Sequence, residues 1–573
     1  MRQANLDWFW NGFEEIADAP NGVARLRGLI LSLAVQGRLV PQDDGDEPAS
    51  ELLKRIAGEK ARLVKAGTRR KSEPLAPVGE DEAPFDLPGS WAWVRLPEIF
   101  YSLPISNNKI KTSEFRESGK HPVVDQGQGF IAGYTDESDA LVRIPGPVIV
   151  FGDHTRELKY IDFDFVAGAD GVKVLRPITI FEPFFLCVLR TYEFDKKGYS
   201  RHFKFLTSNN FPLPPLAEQK RIVAKVDELM ALCDELEARQ KQKHAGRALA
   251  LNATLNRLEH AADADEFALR LAILADHFEE LLDAPESVAP LRAAILGLAV
   301  QGKLEAQDPN DEPASELLQH IAREKARLVA QKKIRKSDPL PPVDAENAPF
   351  EIPESWVWTR LGDVATYIQR GKSPKYTIKS EFPVVSQKCV QWSGVSLEHA
   401  KYIEPESVSI YGDERFLGEG DLLWNSTGTG TVGRIGVFQP DARFPKVVAD
   451  SHVTVVRVPS LDVRYAWIFL AGPFTQNKIE SMTSGSTNQV ELNLATVIKH
   501  PLPLPPLAEQ KRIVARVDDL MALCDELEAG LKARHEGGAA LVDAAVRRVG
   551  QTSSPVDGVD SGLKEVDQNA TSL

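Results

Sequence analysis

The sequence predicts an α+β protein in which two globular α/β inserts are separated by long helices that occur twice. Two observations support this fold class. Helical segments repeat along the 573 residues, and the intervals between them consist of short β-branched runs interrupted by glycine and proline. The composition, 43% hydrophobic and 26% charged, is that of an ordinary globular protein, and the length suits three or four domains of about 150 residues each.

The repeat has two different offsets. Residues 26–39, LRGLILSLAVQGRL, recur 265 positions later as LRAAILGLAVQGKL. Residues 212–238, PLPPLAEQKRIVAKVDELMALCDELEA, recur 291 positions later with two substitutions. The pair Trp91 and Trp93 recurs with the first offset as Trp356 and Trp358, so the 26 additional residues lie between this pair and the second motif, at about 94–211 and 359–502, where the halves share no obvious similarity. Each half is therefore a near-identical frame that holds a different insert. Drift of one copy of a duplicated domain is the alternative, but drift would not spare the frame while erasing the inserts.

The second frame motif predicts a long helix with a coiled-coil seam. Apolar residues and one cysteine in each copy step by 4, 3, 4 and 3, which is the a/d spacing of a coiled coil. The prolines Pro214 and Pro215 in the first copy, and Pro505 and Pro506 in the second, suit a helix start. The predicted seam, or partner-facing frame, consists of Ile222, Val226, Leu229, Cys233 and Leu236 in the first copy and Ile513, Val517, Leu520, Cys524 and Leu527 in the second.

The inserts are predicted to be mixed α/β domains. Runs such as GPVIVFG and GVKVLRP in the first, and GDLLWNS and SHVTVVRV in the second, predict strands. The expected organisation is an N-terminal helical region at 1–89, a first insert at 90–211, a central helical region and linker at 212–355, a second insert at 356–502, a distal helix at 503–549 and a disordered tail at 550–573.

The net charge of −14 is not evenly distributed. Residues 90–215 carry 15 Lys or Arg against 15 Asp or Glu, and residues 356–506 carry 15 against 14. Two nearly neutral blocks can each carry a basic face, so the acidic total does not exclude nucleic acid. The four cysteines form no CxxC pair. No apolar run reaches the roughly 18 residues of a membrane span, and the polar start is not a signal peptide, so we expect a cytoplasmic protein.

The frame motifs resemble the conserved regions of Type I restriction–modification specificity subunits. AVQGRLVPQDDGDEPASELL, PLPPLAEQKRIVAKVDELMALCDELEA and their second copies carry the resemblance. VVDQGQGFIAGYT, GDLLWNSTGTGTVGRIGVF and VVADSHVTVV are similar to segments of that family's target recognition domains. The resemblance covers nearly the whole chain. It implies an antiparallel pair of long helices, a pseudo-twofold relation between the halves, and no catalysis by the chain itself.

The resemblance also implies partners. Double-stranded DNA, two modification (methyltransferase) subunits and two restriction (motor and nuclease) subunits would join the chain. S-adenosylmethionine, ATP and Mg²⁺ would bind those subunits, and the chain itself would hold no cofactor or metal. Dissimilar inserts on a repeated frame would read an asymmetric, bipartite target.

The sequence contains only weak matches to catalytic motifs. Gly428 to Gly433 match GxGxxG, but a strand-like RIGVF follows where a dinucleotide site needs a helix. Asp153, Glu157 and Lys159 are spaced too closely for a strand hairpin to place metal ligands. Two alternatives stay open: a tandem scaffold or binding protein for another ligand, and a nuclease or methyltransferase in its own right.

DNA contacts need Arg, Lys, Asn and Gln at base edges, and Ser, Thr or Tyr at phosphates. For each candidate, a structural or solvated role is the alternative. The first insert offers Gln126, Gln128, Tyr134, His154, Thr155, Arg156 and Lys173. The second offers Lys372, Lys375, Tyr376, Gln387, Lys388, Trp392, Thr427, Thr429, Arg434, Ser484, Ser486, Thr487 and Gln489.

Overall fold

The computed structural model describes residues 13–68, 73–105, 109–168, 171–193, 201–343, 348–428, 430–484 and 490–551. The chain divides into two compact units, residues 1–243 with 535–573 and residues 244–534. No helix in the described ranges combines the length and apolar character that crossing a bilayer demands.

Four helices carry the two long repeated motifs of the frame. They are a first short helix (Gly22–Val35), a first long helix (Leu216–Glu259), a second short helix (Val288–Val300) and a second long helix (Leu507–Gln551). The second long helix extends over residues 550 and 551, the first two of the predicted disordered tail, and 552–573 lie outside the described residues. The other helices are Phe13–Asp18, Ala49–Lys65, Glu182–Leu189, Phe203–Thr207, Ala264–Asp276, Phe278–Leu281, Ala314–Ala330, Leu361–Val364, Val463–Ala471, Pro473–Gln476, Ile479–Met482 and Leu494–Lys499.

In the first unit, the short helix contacts parts of both long helices. Arg27 pairs with Glu237 of the first long helix at 2.9 Å, and Arg25 pairs with Asp543 of the second at 2.7 Å. The predicted seam Ile222, Val226, Leu229, Cys233 and Leu236 is buried in the same apolar cluster as the short helix. The heptad spacing thus identified a buried face, and the short helix packs in the core that this face builds.

The second unit repeats the arrangement with the second short helix. Arg292 pairs with Asp525 at 2.7 Å and with Glu528 at 3.1 Å. Ile513, Val517 and Cys524 of the predicted seam are buried, and Leu520 and Leu527 are half-buried against the core. On its other side, the short helix shares a cluster with Leu251, Leu255 and Leu258 of the first long helix.

The first insert contains two four-stranded sheets. The order in one is β2-β9-β6-β7 and in the other β4-β3-β8-β5, and β1 pairs with β10 at the frame. Strands β3 and β8 are parallel, and the other pairs are antiparallel. The strands are β1 (Ala92–Arg95), β2 (Phe100–Ser102), β3 (His121–Val124), β4 (Gly133–Thr135), β5 (Leu141–Val142), β6 (Val148–Gly152), β7 (Leu158–Ile161), β8 (Phe165–Ala167), β9 (Val172–Pro177) and β10 (Asn210–Leu213).

The second insert also has two four-stranded sheets, ordered β12-β21-β18-β19 and β13-β17-β14-β20. Two small hairpins, β15-β16 and β22-β23, are added, and β11 pairs with β24 at the frame. The strands are β11 (Val357–Arg360), β12 (Tyr367–Arg370), β13 (Tyr376–Thr377), β14 (Pro383–Val385), β15 (Val390–Gln391), β16 (Gly394–Val395), β17 (Lys401–Ile403), β18 (Leu422–Asn425), β19 (Ile435–Val437), β20 (Val448–Ala449), β21 (Val453–Arg457), β22 (Thr483–Ser484), β23 (Glu491–Leu492) and β24 (Pro501–Leu504).

The two inserts share the strand order of one sheet although their sequences do not match. The order β2-β9-β6-β7 corresponds to β12-β21-β18-β19, strand for strand. The order of the other sheet differs, but each insert has a parallel pair made of strands at corresponding points of the chain: β3 with β8 in the middle of the first sheet, and β14 with β20 at the edge of the second. Loops that follow these strands therefore occupy equivalent positions in both inserts.

Each insert is joined to its frame by a buried polar cluster. Trp91 donates a hydrogen bond of 2.9 Å to Glu218 at the start of the first long helix, and the side chain of Gln219 accepts one of 2.9 Å from the Phe181 N–H. The second half repeats both contacts with Glu509 and Gln510. Trp91 and Trp356 are core anchors. The Ala-Glu-Gln segments at 217–219 and 508–510 attach each insert to its long helix.

Candidate nucleic-acid interface

In the first insert, the loop after β3 meets the loop after β6. Parallel strands end at the same sheet edge, so Asp125 and Gln126 emerge beside the end of β8. The Gln126 side-chain oxygen Oε1 accepts a hydrogen bond of 3.2 Å from the backbone N–H of His154, and the Thr155 hydroxyl donates to the Gln126 carbonyl. Gln126, His154 and Thr155, all predicted candidates, are thus brought together.

A buried lysine supports this junction from behind. Lys159 is only 5% exposed, and its ammonium donates to the carbonyls of Asp125 at 2.9 Å and Gly129 at 2.6 Å. Asp153, also buried, accepts from the Phe203 N–H at 2.7 Å. Lys159 and Asp153 therefore bind separate backbone groups, and they form no shared carboxylate–lysine site.

Other first-insert candidates lie around this junction without joining it. Gln128 is exposed on the same loop, and Tyr134 lies on β4. Lys173 lies on β9, with its ammonium 5.5 Å from the centre of the Phe203 ring. Arg156 has a left-handed backbone, with φ of 68°, in the turn after Thr155.

The second insert builds its junction at the equivalent place. Gln387 follows β14, and its Nε2 donates to the Thr427 hydroxyl at 2.7 Å. That hydroxyl lies 2.7 Å from Nδ1 of His452. Asn425, fully buried at the end of β18, donates to the Gln387 carbonyl at 3.0 Å. Gln387 and Thr427 correspond to Gln126 and His154 in the first insert.

Asp450 connects this junction to Tyr376. The Tyr376 hydroxyl donates to the Asp450 carboxylate, as do the Ser451 hydroxyl at 3.0 Å and the His452 N–H at 3.2 Å. Burial alone would raise the pKa of Asp450, but these hydrogen bonds outweigh burial and hold the pKa below its usual value. Asp450 is therefore an ionised structural anchor.

Four residues of this network were not among the predicted candidates: Asn425, Asp450, Ser451 and His452. All four lie in segments already similar to the family's recognition domains, GDLLWNST and VVADSHVTVV, and that similarity was the available signal. Their contacts depend on β18, β20 and β21 lying side by side, and residue spacing does not reveal this.

The remaining second-insert candidates divide by position. Arg434 donates to Gln391 at 2.9 Å and to the Gly430 carbonyl at 2.9 Å, so it braces the loop after β18. Trp392 is 49% exposed. Lys372, Lys375, Lys388 and Ser484 are exposed outside the Gln387 junction. Thr429, Ser486, Thr487 and Gln489 lie outside the described residues.

No group of three or more His, Cys, Asp or Glu side chains that could hold a metal ion occurs among the residues described. The Gly428–Gly433 segment leads into strand β19, which leaves no helix to receive a pyrophosphate. The junctions are built from amide, hydroxyl and imidazole groups, which suit hydrogen bonding to base edges.

Comparison with known proteins identifies the family. A sequence profile of the Type I restriction modification DNA specificity domain matches residues 88–244 and again residues 353–535. The Type I restriction enzyme EcoEI specificity subunit of Escherichia coli is 32% identical over 563 residues, covering 91% of this chain and 93% of the relative. The EcoAI specificity subunit of Escherichia coli is 32% identical over 571 residues, with the same coverage of both chains.

The chain belongs to the family of Type I restriction enzyme specificity subunits. Among solved structures, the HsdS subunit from Thermoanaerobacter tengcongensis matches with a TM-score of 0.36 and 17% identity, over 82% of this chain and 99% of that chain. A chain from a study of assembly and conformational transition of the type I R-M system matches with a TM-score of 0.41 and 18% identity, over 82% of this chain and 100% of that one.

Membership of the specificity-subunit family settles the class of the protein. Such a subunit is the non-catalytic component that determines DNA sequence specificity, and it acts together with partner subunits of a restriction–modification complex. Both profile matches begin just before the tryptophan that opens an insert and end within a long helix. Each match therefore spans one insert and its frame helix.

Proposed function

We propose that this specificity subunit reads a bipartite, asymmetric double-stranded DNA target, with one insert on each half. The observation that carries the proposal is the equivalence of the two loop junctions. Gln126 with His154 and Gln387 with Thr427 lie after corresponding strands, but they present different chemical groups. One scaffold with two different reading loops suits two unlike half-sites separated by a spacer.

The frame repeats its contacts closely, and this supports two copies of each partner. The helix-start residues Glu218 and Glu509 have the same donors, and Arg27 and Arg292 pair with corresponding carboxylates. A surface that occurs twice can bind the same partner twice. We therefore propose two modification subunits and two restriction subunits in a cytoplasmic complex, with S-adenosylmethionine, ATP and Mg²⁺ bound by those subunits.

Exchange of an insert tests the two-reader proposal. The Leu96 N–H donates to the Asn209 carbonyl at 3.1 Å, just beyond the β1–β10 pair. Replacing residues 97–208 with the insert of another family member therefore keeps the β1–β10 pair and the Trp91–Glu218 hydrogen bond. The Leu361 N–H donates to the His500 carbonyl at 2.9 Å in the same way, so 362–499 is the matched exchange in the other half.

Each chimera is produced with its modification subunits in a methylation-free host, and the methylated motif is read by sequencing. We expect each exchange to alter one half of the motif, with a different half for each insert. A change in both halves from one exchange would rule out independent readers. Absence of any bipartite motif from the unaltered complex would remove the proposed function itself.

A further inference from the structure

We propose that Gln126 and Gln387 read opposite hydrogen-bond polarities on DNA. The amide of Gln126 donates to an acceptor on a base edge, and the amide of Gln387 accepts from the exocyclic amino group of a base. The inference rests on the proposed function, because it assigns a chemical role to the two junctions described above. It makes these glutamines specificity-determining residues, one in each insert.

The orientation of the Gln126 amide follows from its partner. A backbone N–H can only donate, so the atom 3.2 Å from the His154 nitrogen is the side-chain oxygen. The opposite end of the amide, Nε2, carries two hydrogens and has no acceptor among the described residues. Gln126 is half-buried, and its outward end is a donor.

The absence of a side chain at Gly171 leaves room for the Gln126 amide in this orientation. A Cβ atom at this position would lie 2.6 Å from Oε1 of Gln126 and 2.9 Å from the His154 ring. The backbone also has a φ of +98°, which glycine adopts without strain. The loop before β9 therefore closes against the amide, and a larger residue would displace it.

Gln387 is held by the nitrogen end of its side-chain amide, whereas Gln126 is held by the oxygen end. Its Nε2 donates to the Thr427 hydroxyl at 2.7 Å, and that hydroxyl also lies 2.7 Å from Nδ1 of His452. With Nε2 engaged in this way, Oε1 of Gln387 has no donor among the described residues. The outward end of this amide is an acceptor.

Base chemistry turns this difference into a prediction. In the major groove, guanine N7 and O6, adenine N7 and thymine O4 accept hydrogen bonds, and adenine N6 and cytosine N4 donate them. Gln126 therefore contacts an acceptor such as guanine N7 and O6 or thymine O4. Gln387 contacts adenine N6 or cytosine N4. The same residue type thus reads different bases in the two half-sites.

Replacement by glutamate separates the two cases. In Gln126→Glu, one carboxylate oxygen still accepts from His154, and the outward end changes from donor to acceptor. In Gln387→Glu, the outward end remains an oxygen, and the Thr427 hydroxyl can reverse to donate to the other end. The added charge lowers affinity for DNA in both variants, so they are compared by the sequence of the methylated motif.

The experiment uses the full chain with its modification subunits and reads the motif by methylation sequencing. We expect Gln126→Glu to change one position in one half-site, and Gln387→Glu to leave the motif unchanged. Gln387→Leu, which removes the acceptor, should relax one position in the other half-site. A base change from Gln387→Glu would overturn the assigned polarity of Gln387. An unchanged motif from Gln126→Glu would overturn the role of Gln126.

If Gln126→Glu abolishes methylation, binding of the complex to base-substituted duplexes decides the Gln126 assignment. Purine positions of the first half-site are replaced by their 7-deaza analogues, guanine positions also by 2-aminopurine, which lacks O6, and thymine positions by a 4-deoxy analogue, one at a time. One analogue should weaken binding by the unaltered complex about 10- to 100-fold and leave binding by a Gln126→Leu complex unchanged. Equal losses in both complexes at every position would overturn the contact. Failure of the unaltered complex to methylate any bipartite motif would instead count against the proposed function.

Discussion

The indole nitrogen of Trp91 lies 2.9 Å from Oε2 of Glu218, and in the second half Trp356 makes the same 2.9 Å contact with Glu509. Each bond joins the residue before the first strand of an insert to the first turn of a long helix. Both carboxylates are almost fully buried, and burial raises the pKa of each. Because of these positions, the bond lies where each insert is attached to the frame.

Loss of this hydrogen bond should destabilise the protein. Trp356→Phe keeps an aromatic side chain but leaves a buried Glu509 oxygen without its donor. We expect a loss of about 1–3 kcal/mol in the free energy of unfolding, measured by urea denaturation. Trp358→Phe is the matched control, because the Trp358 indole N–H is buried and has no partner in the described part of the chain. Equal losses from both variants would contradict the role given to the bond.

His500 should make the second unit sensitive to acid. Burial, and then the charge of Lys478, lowers the pKa of His500 to about 4, while the unfolded value is 6.5. Between these values the unfolded chain binds the proton and the folded chain does not, so stability is lost as the pH falls from about 6.5 towards 4. The loss approaches about 3 kcal/mol.

His500→Asn tests this assignment, because Asn209 occupies the corresponding position in the first half. The free energy of unfolding is measured from pH 7 to pH 4 in both proteins. The variant should lose stability less steeply with falling pH than the original chain. Identical slopes would show that another group is responsible.

The left-handed glycine beside Gln126 should tolerate no side chain. Gly171→Ala adds backbone strain and places a Cβ 2.6 Å from Oε1 of Gln126. Gly67→Ala is the control, since Gly67 has a φ of +74° but nothing within 4 Å of the added Cβ. Both should destabilise by about 1 kcal/mol or more, but only Gly171→Ala should also weaken methylation by the assembled complex.

Lys159 should affect recognition of DNA by the first insert and not by the second. Lys159→Met removes a buried ammonium and leaves the carbonyls of Asp125 and Gly129 without that donor, so we expect a loss of about 2–3 kcal/mol in unfolding free energy. The methylated motif should become less selective in one half and keep the other. Lys225→Met, which breaks only a surface pair with Glu228, should leave both properties unchanged. Relaxation of both halves by Lys159→Met would contradict an effect confined to one insert.

Part of the candidate site could be predicted from the amino-acid sequence. Gln126 and Gln387 both follow a β-branched pair and precede a turn, and the sequence identified each as a candidate. It missed Asn425, Asp450, Ser451 and His452. It also did not assign a role to Glu218 and Gln219, although their motif repeats almost unchanged. Their partners are distant in the chain, such as Trp91 for Glu218, and no local pattern encodes such a pair.

The sequence by itself determined the repeated frame, the buried faces of the long helices and the membership of a family, because each is encoded in local periodicity or in motifs that recur. Only the tertiary structure decided that the unlike inserts share the strand order of one sheet and that their glutamines are held by different ends of the side-chain amide. The physical reason is that many sequences satisfy the same sheet. The orientation of a polar side chain, in contrast, depends on which donor or acceptor the fold places beside it.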